Sequence, residues 1–481
     1  SDLAQRGLGV PGGRVVRVLR HVSPPDHPVG RLCAGATMRR VLSVVCLAAF
    51  CLVTSATPAR GQEPATRVQG PPVSDGPPFS LSAALSEALA RNPELIALRA
   101  SLEAARLRPA QERFLAPPTL EAQIWQWPIN TLNPANTNMY MFMVGQDIPG
   151  SGKRRLRAAV AEKDVELAAT EIAVRARDVV DRVKRTYADL FLARKAIEVH
   201  LASVELLRQF AEVTQAKYAT GRISQQDVLK AVVELSKLHD DLFMLDERAR
   251  IAEAQLNTLL DRRPDVPIGG LAEPHERVLL PAAEDLQRLA LEHQPELAAA
   301  RIATERADAR LAVVNREYRP DFFTMGGYML MPRDRDAWMA KVGITWPAAP
   351  WSRGKLDSQK AEATAEIDVA KARVRAVENA LRLAVQEAYV RVKTAEQRAS
   401  LLRTTVLPQS EQTLEVSRVA YQTDRVDFLA LIDNERVRLD AQLDYYRVLS
   451  DFEQALADLE RAVGTELVPS MTATVNPPGA K

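Results

Sequence analysis

Asn92-Pro93-Glu94-Leu95 returns 202 residues later as Gln294-Pro295-Glu296-Leu297. The same offset joins Pro118 to Pro320, Gly152-Lys153 to Gly354-Lys355 and Tyr187 to Tyr389. Near the end of each copy the register slips slightly, and Tyr218-Ala219-Thr220-Gly221-Arg222-Ile223 is matched by Tyr421-Gln422-Thr423-Asp424-Arg425-Val426. Ordered landmarks at one spacing mark a tandem duplication, so the architecture of one copy is repeated by the other.

Each copy predicts helix, two short strands, a long helix and a return helix. In the first copy (80–263), helical sequence from Phe79-Ser80-Leu81 is interrupted at Pro93 and stopped by Pro117-Pro118. Thr119 to Trp127 and Met139 to Ile148 read as a β-hairpin. Lys153 to Tyr218 holds no proline and keeps a helical pattern throughout, for a length of roughly 100 Å at 1.5 Å per residue. A break at Gly221 precedes a return helix to Leu260, and a Pro/Gly-rich connector (264–283) follows. The second copy (284–467) repeats the plan: a helix from Glu284 to Tyr318, strands Asp321 to Met331 and Trp338 to Trp346, a long helix from Lys355, a break near Asp424 and a return helix to Val463. Pro408, without counterpart in copy one, predicts a kink. Apolar steps of three and four, Leu381-Val385-Ala388-Val392-Ala395-Ala399-Leu402-Val406, are those of coiled-coil packing. In copy one Arg194 and Arg208 interrupt the matching series.

The formal charge of +2 is misleading, because residues 1–61 hold eight arginines against two aspartates. The basicity belongs to a leader and gives no support for nucleic-acid binding. Residues 38–61 have the layout of a secretory signal peptide: Met38-Arg39-Arg40, an apolar run Val41 to Val53, then small residues. Residues 1–37 are expected to be an upstream extension, 62–79 a Pro-rich linker and 468–481 a disordered tail. Cys33, Cys46 and Cys51 all fall in or before the leader, so the exported chain is expected to carry no disulfide and no cysteine chemistry.

Trp125, Trp127, Trp338, Trp346 and Trp351, all the tryptophans of the chain, sit in or beside the four strand segments. Trp338 and Trp346 stand eight residues apart, about 26 Å along a strand and nearer 20 Å if tilted, the spacing of two aromatic girdles around a lipid-facing band. Trp125, Trp127, Trp338 and Trp346 are therefore expected to be membrane-interface aromatics. Four strands cannot close a barrel in lipid without leaving open edges, so several copies must share one.

With tandem copies, strand-to-helix junctions ending in Gly152-Lys153 and Gly354-Lys355, and the turns at 218–224 and 421–427, the chain resembles the TolC-like outer-membrane factors over residues 80–467. These are the exit ducts of tripartite efflux pumps and type I secretion systems. The resemblance implies a mainly α fold with a small β part: a homotrimer with a 12-stranded outer-membrane β-barrel on a periplasmic α-helical barrel. It also implies a periplasmic adaptor and an inner-membrane pump of the RND type as partners, with outer-membrane lipid around the barrel. By position, Gly221, Arg222, Ile223, Ser224, Asp424, Arg425 and Val426 would contact the adaptor. Asp427, Asp424 and Asp433 would line the closing aperture, where rings of carboxylates make opening depend on salt and pH. Gln146-Asp147-Ile148-Pro149-Gly150 looks most like factors serving heavy-metal cation pumps. The alternatives are a soluble periplasmic coiled-coil scaffold, which leaves the tryptophan clustering unexplained, and a drug-efflux or type I secretion duct of the same fold.

Other motifs carry little. Gly150-Ser151-Gly152-Lys153 lacks the earlier glycine and following Ser/Thr of a phosphate loop, and its copy keeps only Gly-Lys, which suggests a structural junction. His200, His239, His275 and His293 show no ligand spacing, and no nucleophile sits in a catalytic frame. No enzymatic activity and no cofactor are expected. Met139, Met141, Met143, Met325, Met329, Met331 and Met339 fall in the strand regions. Thioethers bind soft cations, but packing by an adaptable side chain is the favoured reading here.

Overall fold

Pro93 and Pro295 each open a helix, α2 (Pro93–Arg106) and α7 (Pro295–Glu317), at the position where a missing N–H has no intrahelical partner to lose. The buried residue before each proline has a second task. Asn92 Nδ2 donates to Leu259 O at 3.2 Å and Gln294 Nε2 to Arg461 O at 2.9 Å, so each grips the end of its own copy's return helix 167 residues away. The computed structural model describes residues 78–467 apart from 132, 134–135 and 274–279. The expected upstream extension, signal peptide, tail and cysteines, and almost all of the linker, lie outside the described residues.

Copy one runs α1 (Leu81–Arg91), α2, α3 (Arg108–Arg113), β1 (Thr119–Trp125), β2 (Met139–Ile148), α4 (Lys153–Ala219) and α5 (Gln225–Leu259). Copy two runs α6 (Ala283–His293), α7, β3 (Asp321–Leu330), β4 (Ala337–Thr345), α8 (Arg353–Leu401), α9 (Leu407–Gln422) and α10 (Phe428–Val463). The strands form one antiparallel sheet in the order β1-β2-β3-β4. The hairpins of the two copies thus join through β2 and β3, and β1 and β4 are left as edges.

α4, at 67 residues, packs along α5, α7 and α10. The predicted stripe of copy two is the buried one from Leu381 through Ala399. The interruption at Arg194 in copy one has a physical reason. Its guanidinium donates to Gly269 O (2.5 Å) and Ile268 O (2.8 Å) and pairs with Glu253 (3.1 Å), so the connector docks where the stripe turns polar. Tyr187 acts beside it, donating to Phe79 O (2.8 Å) and accepting from Ala272 N–H (3.0 Å), and burial pushes its hydroxyl up to about 12.

The expected irregularity near Pro408 takes the form of a π-helical turn over Leu402–Val406, between α8 and α9. It also accounts for the slip between copies. The offset is 202 residues at Tyr187/Tyr389 and 203 at Tyr218/Tyr421, and a π-turn absorbs one extra residue without turning the rest of the helix out of phase. The wider turn also eases the clash of Pro408 with the carbonyl four residues earlier.

Candidate functional site

The sheet has two unlike faces, set by period-two alternation and the register. One face carries Leu120, Phe142, Val144, Trp338, Val342 and Ile344, all exposed, and no charged residue. The other carries Glu121, Asp147, Asp321 and Lys341. Trp338 within β4 and Trp346 just past its end bracket the apolar row, each with an aromatic neighbour: Tyr328 at 5.2 Å from Trp338 and Trp351 at 6.4 Å from Trp346. Two of the four aromatics assigned to the membrane interface do not join them. Trp125 pairs with Met139 on the charged face, because alternation along β1 puts odd positions there, and Trp127 lies beyond the end of β1.

The far ends of the long helices turn alike. Gly221 (φ 71°) and Asp424 (φ 57°) both take the left-handed conformation. Arg222 N–H donates to Lys217 O and Arg425 N–H to Ala420 O, at 3.0 and 2.9 Å. Ser224 and Asp427 then precede the first turns of α5 and α10. Gly221, Arg222, Ser224 and Arg425 are exposed, while Ile223 and Val426 are half-buried, Val426 against the apolar core between the helices.

The aspartates expected at the aperture are engaged within one chain. Asp427 caps α10 by accepting from Ala430 N–H at 3.0 Å. Asp433 faces Arg436 at 3.5 Å, and Arg436 also holds Glu234 on α5 through two hydrogen bonds, which lower the Glu234 pKa. Asp424 pairs with Lys217 at 2.5 Å and Arg222 at 3.5 Å, and the Lys217 hydrogen bond holds its carboxyl below the usual value. Lys217 also lies 4.2 Å over the ring of buried Tyr421, whose hydroxyl shares a 3.1 Å hydrogen bond with Thr214 and is raised by burial. The turns of the two copies are thereby tied to each other by contacts that no local sequence pattern announces.

The Gly-Lys junction is structural, as the sequence suggested. Lys153 is fully buried and pairs with Glu317 (3.0 Å) and Asp321 (2.9 Å), while Gly150 N–H donates to Asp321 (2.6 Å). Gly152 has φ 88°, and a Cβ there would meet Arg316 Nη2 at 2.6 Å. His200 and His239 bond to carbonyls of their own helix turns. Among the described residues no group of three or more His, Cys, Asp or Glu is placed to hold a metal ion.

Comparison with known proteins agrees with this geometry. The sequence profile of the family described as "Outer membrane efflux protein" matches residues 84–262 and 286–465, which are the two copies. The cobalt-zinc-cadmium resistance protein CzcC of Cupriavidus metallidurans is 25% identical over 397 residues, covering 80% of this chain and 90% of its own. Among solved structures, the outer-membrane channel OprN has a TM-score of 0.68 at 19% identity, covering 80% of this chain and 90% of its own. The outer membrane protein VceC of Vibrio cholerae has 0.67 at 19%, covering 81% and 97%. A profile that fits both copies, a relative matched along nearly its whole length and channels of the same fold together make this chain a member of the outer membrane efflux protein family, an outer-membrane exit channel with a large periplasmic helical part.

Proposed function

We propose that three copies of the chain share one 12-stranded barrel, dock through their helix tips on a periplasmic adaptor, and release heavy-metal cations delivered by an inner-membrane pump of the RND type. The observation that carries the oligomer is the sheet: four strands with two unpaired edges and a charge-free face, joined to a 67-residue helix. In lipid such edges must pair, and pairing with further copies is the way one chain type closes the ring. Exposed Gly221, Arg222, Ser224 and Arg425 at matching turns suit the adaptor, with Ile223 and Val426 as the apolar members of the contact. The likeness to a cobalt-zinc-cadmium resistance protein supports metal cargo. The chain itself acts as a passive duct without catalysis, and the pump supplies the energy.

Membrane fractionation with native mass measurement in detergent tests this. The expected result is a trimer in the outer membrane that Trp338→Asp prevents from assembling; a soluble monomer or dimer indifferent to Trp338→Asp would sink the proposal. Deleting the gene should lower tolerance to cobalt, zinc or cadmium, and unchanged tolerance to all three would remove the cargo assignment.

A further inference from the structure

Six of the ten methionines of the chain, Met139, Met141, Met143, Met325, Met329 and Met339, lie on one face of the four-stranded sheet, the charged one. The register brings them together across strands. Met141 stands opposite Met329, while Met143 and Met339 flank Gly327 from either side. Met325 stands opposite Gly145. The two glycines give the thioethers room: a Cβ at Gly327 would lie 2.8 Å from Met143 Cγ, and one at Gly145 would lie 3.4 Å from Met325 Cε. Met143 and Met325 thus lean over the β2–β3 seam in opposite directions. Met141 and Met143 are 9% and 7% exposed, whereas Phe142 and Val144 on the other face are 55% and 53% exposed. Five of the six stand on the adjoining strands β2 and β3.

An unbranched filler would explain one or two such residues. It does not explain why methionine is confined to this face of the strands, where it alternates with glycine from Met143 to Gly145 and from Met325 to Met329, while the opposite face has none. Thioethers are neutral, soft ligands that select monovalent d10 cations such as Cu(I) and Ag(I) over divalent zinc or magnesium, which favour imidazole, thiolate or oxygen. Charged side chains share the face, Glu121 opposite Met143 and Lys341 opposite Met325, and the neutral thioethers between them suit passage, because weak sites let an ion enter and leave.

We propose that this face is a thioether surface that binds soft monovalent cations of the Cu(I) and Ag(I) class. That it lines a lumen rests on the trimeric-channel reading; the thioether cluster is a property of a single chain.

The test is Ag(I) titration of the purified full chain in detergent, with metal retained after desalting measured by mass spectrometry and its ligands by X-ray absorption. Cd(II) and Zn(II) serve as comparisons. The wild type should retain Ag(I) with sulfur ligands in preference to both divalent ions. Met141→Leu/Met143→Leu/Met325→Leu/Met329→Leu, which conserves side-chain volume, should bind at least about tenfold more weakly, a difference of about 1.4 kcal/mol. If that variant does not assemble, the pairs Met141→Leu/Met329→Leu and Met143→Leu/Met325→Leu should each weaken binding. Equal Ag(I) retention by wild type and leucine variants, or none by wild type, overturns the proposal. A wild-type chain that binds Ag(I) through sulfur yet is a soluble monomer keeps the thioether surface and removes the channel reading, whereas an outer-membrane trimer that binds none does the reverse.

Discussion

Lys153 shows how a single residue can join two repeats, since its buried ammonium belongs to copy one and its carboxylate partners Glu317 and Asp321 to copy two. Lys153→Met should leave those carboxylates facing each other and cost about 2–3 kcal/mol, below the roughly 3–5 of a fully dry pair because both acids retain some contact with water. Thermal melting followed by circular dichroism would show it as a lowered midpoint. Asp424 makes the second prediction. Its folded pKa is depressed by Lys217, so its contribution is present above the unfolded value near 3.9 and is lost only as pH falls through the lower folded value. Hydrogen exchange at the amides of Arg222 and Arg425 should therefore be as slow, after correction for intrinsic rate, at pH 5 as at pH 7. Lys217→Ala should speed it at both values.

Between residue and whole molecule, the π-turn at Leu402–Val406 keeps the two copies in phase. Deleting Thr404 together with Pro408→Ala should turn the segment into continuous α-helix and leave assembly intact. Deleting Ala388 should rotate everything beyond it by about 100° and abolish the oligomer, as native gels would show. The strands and long helices were legible in sequence because they rest on alternation, three-and-four steps and proline placement, all local properties. The π-turn was only half legible: Pro408 and the slip at Tyr421 both signalled it, but neither gave its form. Less legible still were the docking of the connector on Arg194, which depends on carbonyls 74 and 75 residues away, and the cation beside Asp424, which comes from Lys217, 207 residues earlier. For Trp125, residue type fits an interface while parity along β1 puts the ring on the charged face, so type and alternation point different ways.

At the scale of the molecule, the sheet separates its two surroundings by parity alone, with Lys341 and Val342 as neighbours on opposite faces. Val342→Arg should cost about 2–4 kcal/mol for an arginine near the bilayer midplane and reduce oligomer recovered from the outer membrane. Lys341→Arg should not. The paired grips of Asn92 on Leu259 and Gln294 on Arg461 also impose an order in time. Each closes a circuit of 167 residues, at a loop-closure cost of about 4–5 kcal/mol, and neither can form until its return helix has emerged. The first copy finds both halves of its grip among its own residues. The second must also lay α7 and α10 along α4, so the contacts between the copies wait on the later half of the chain.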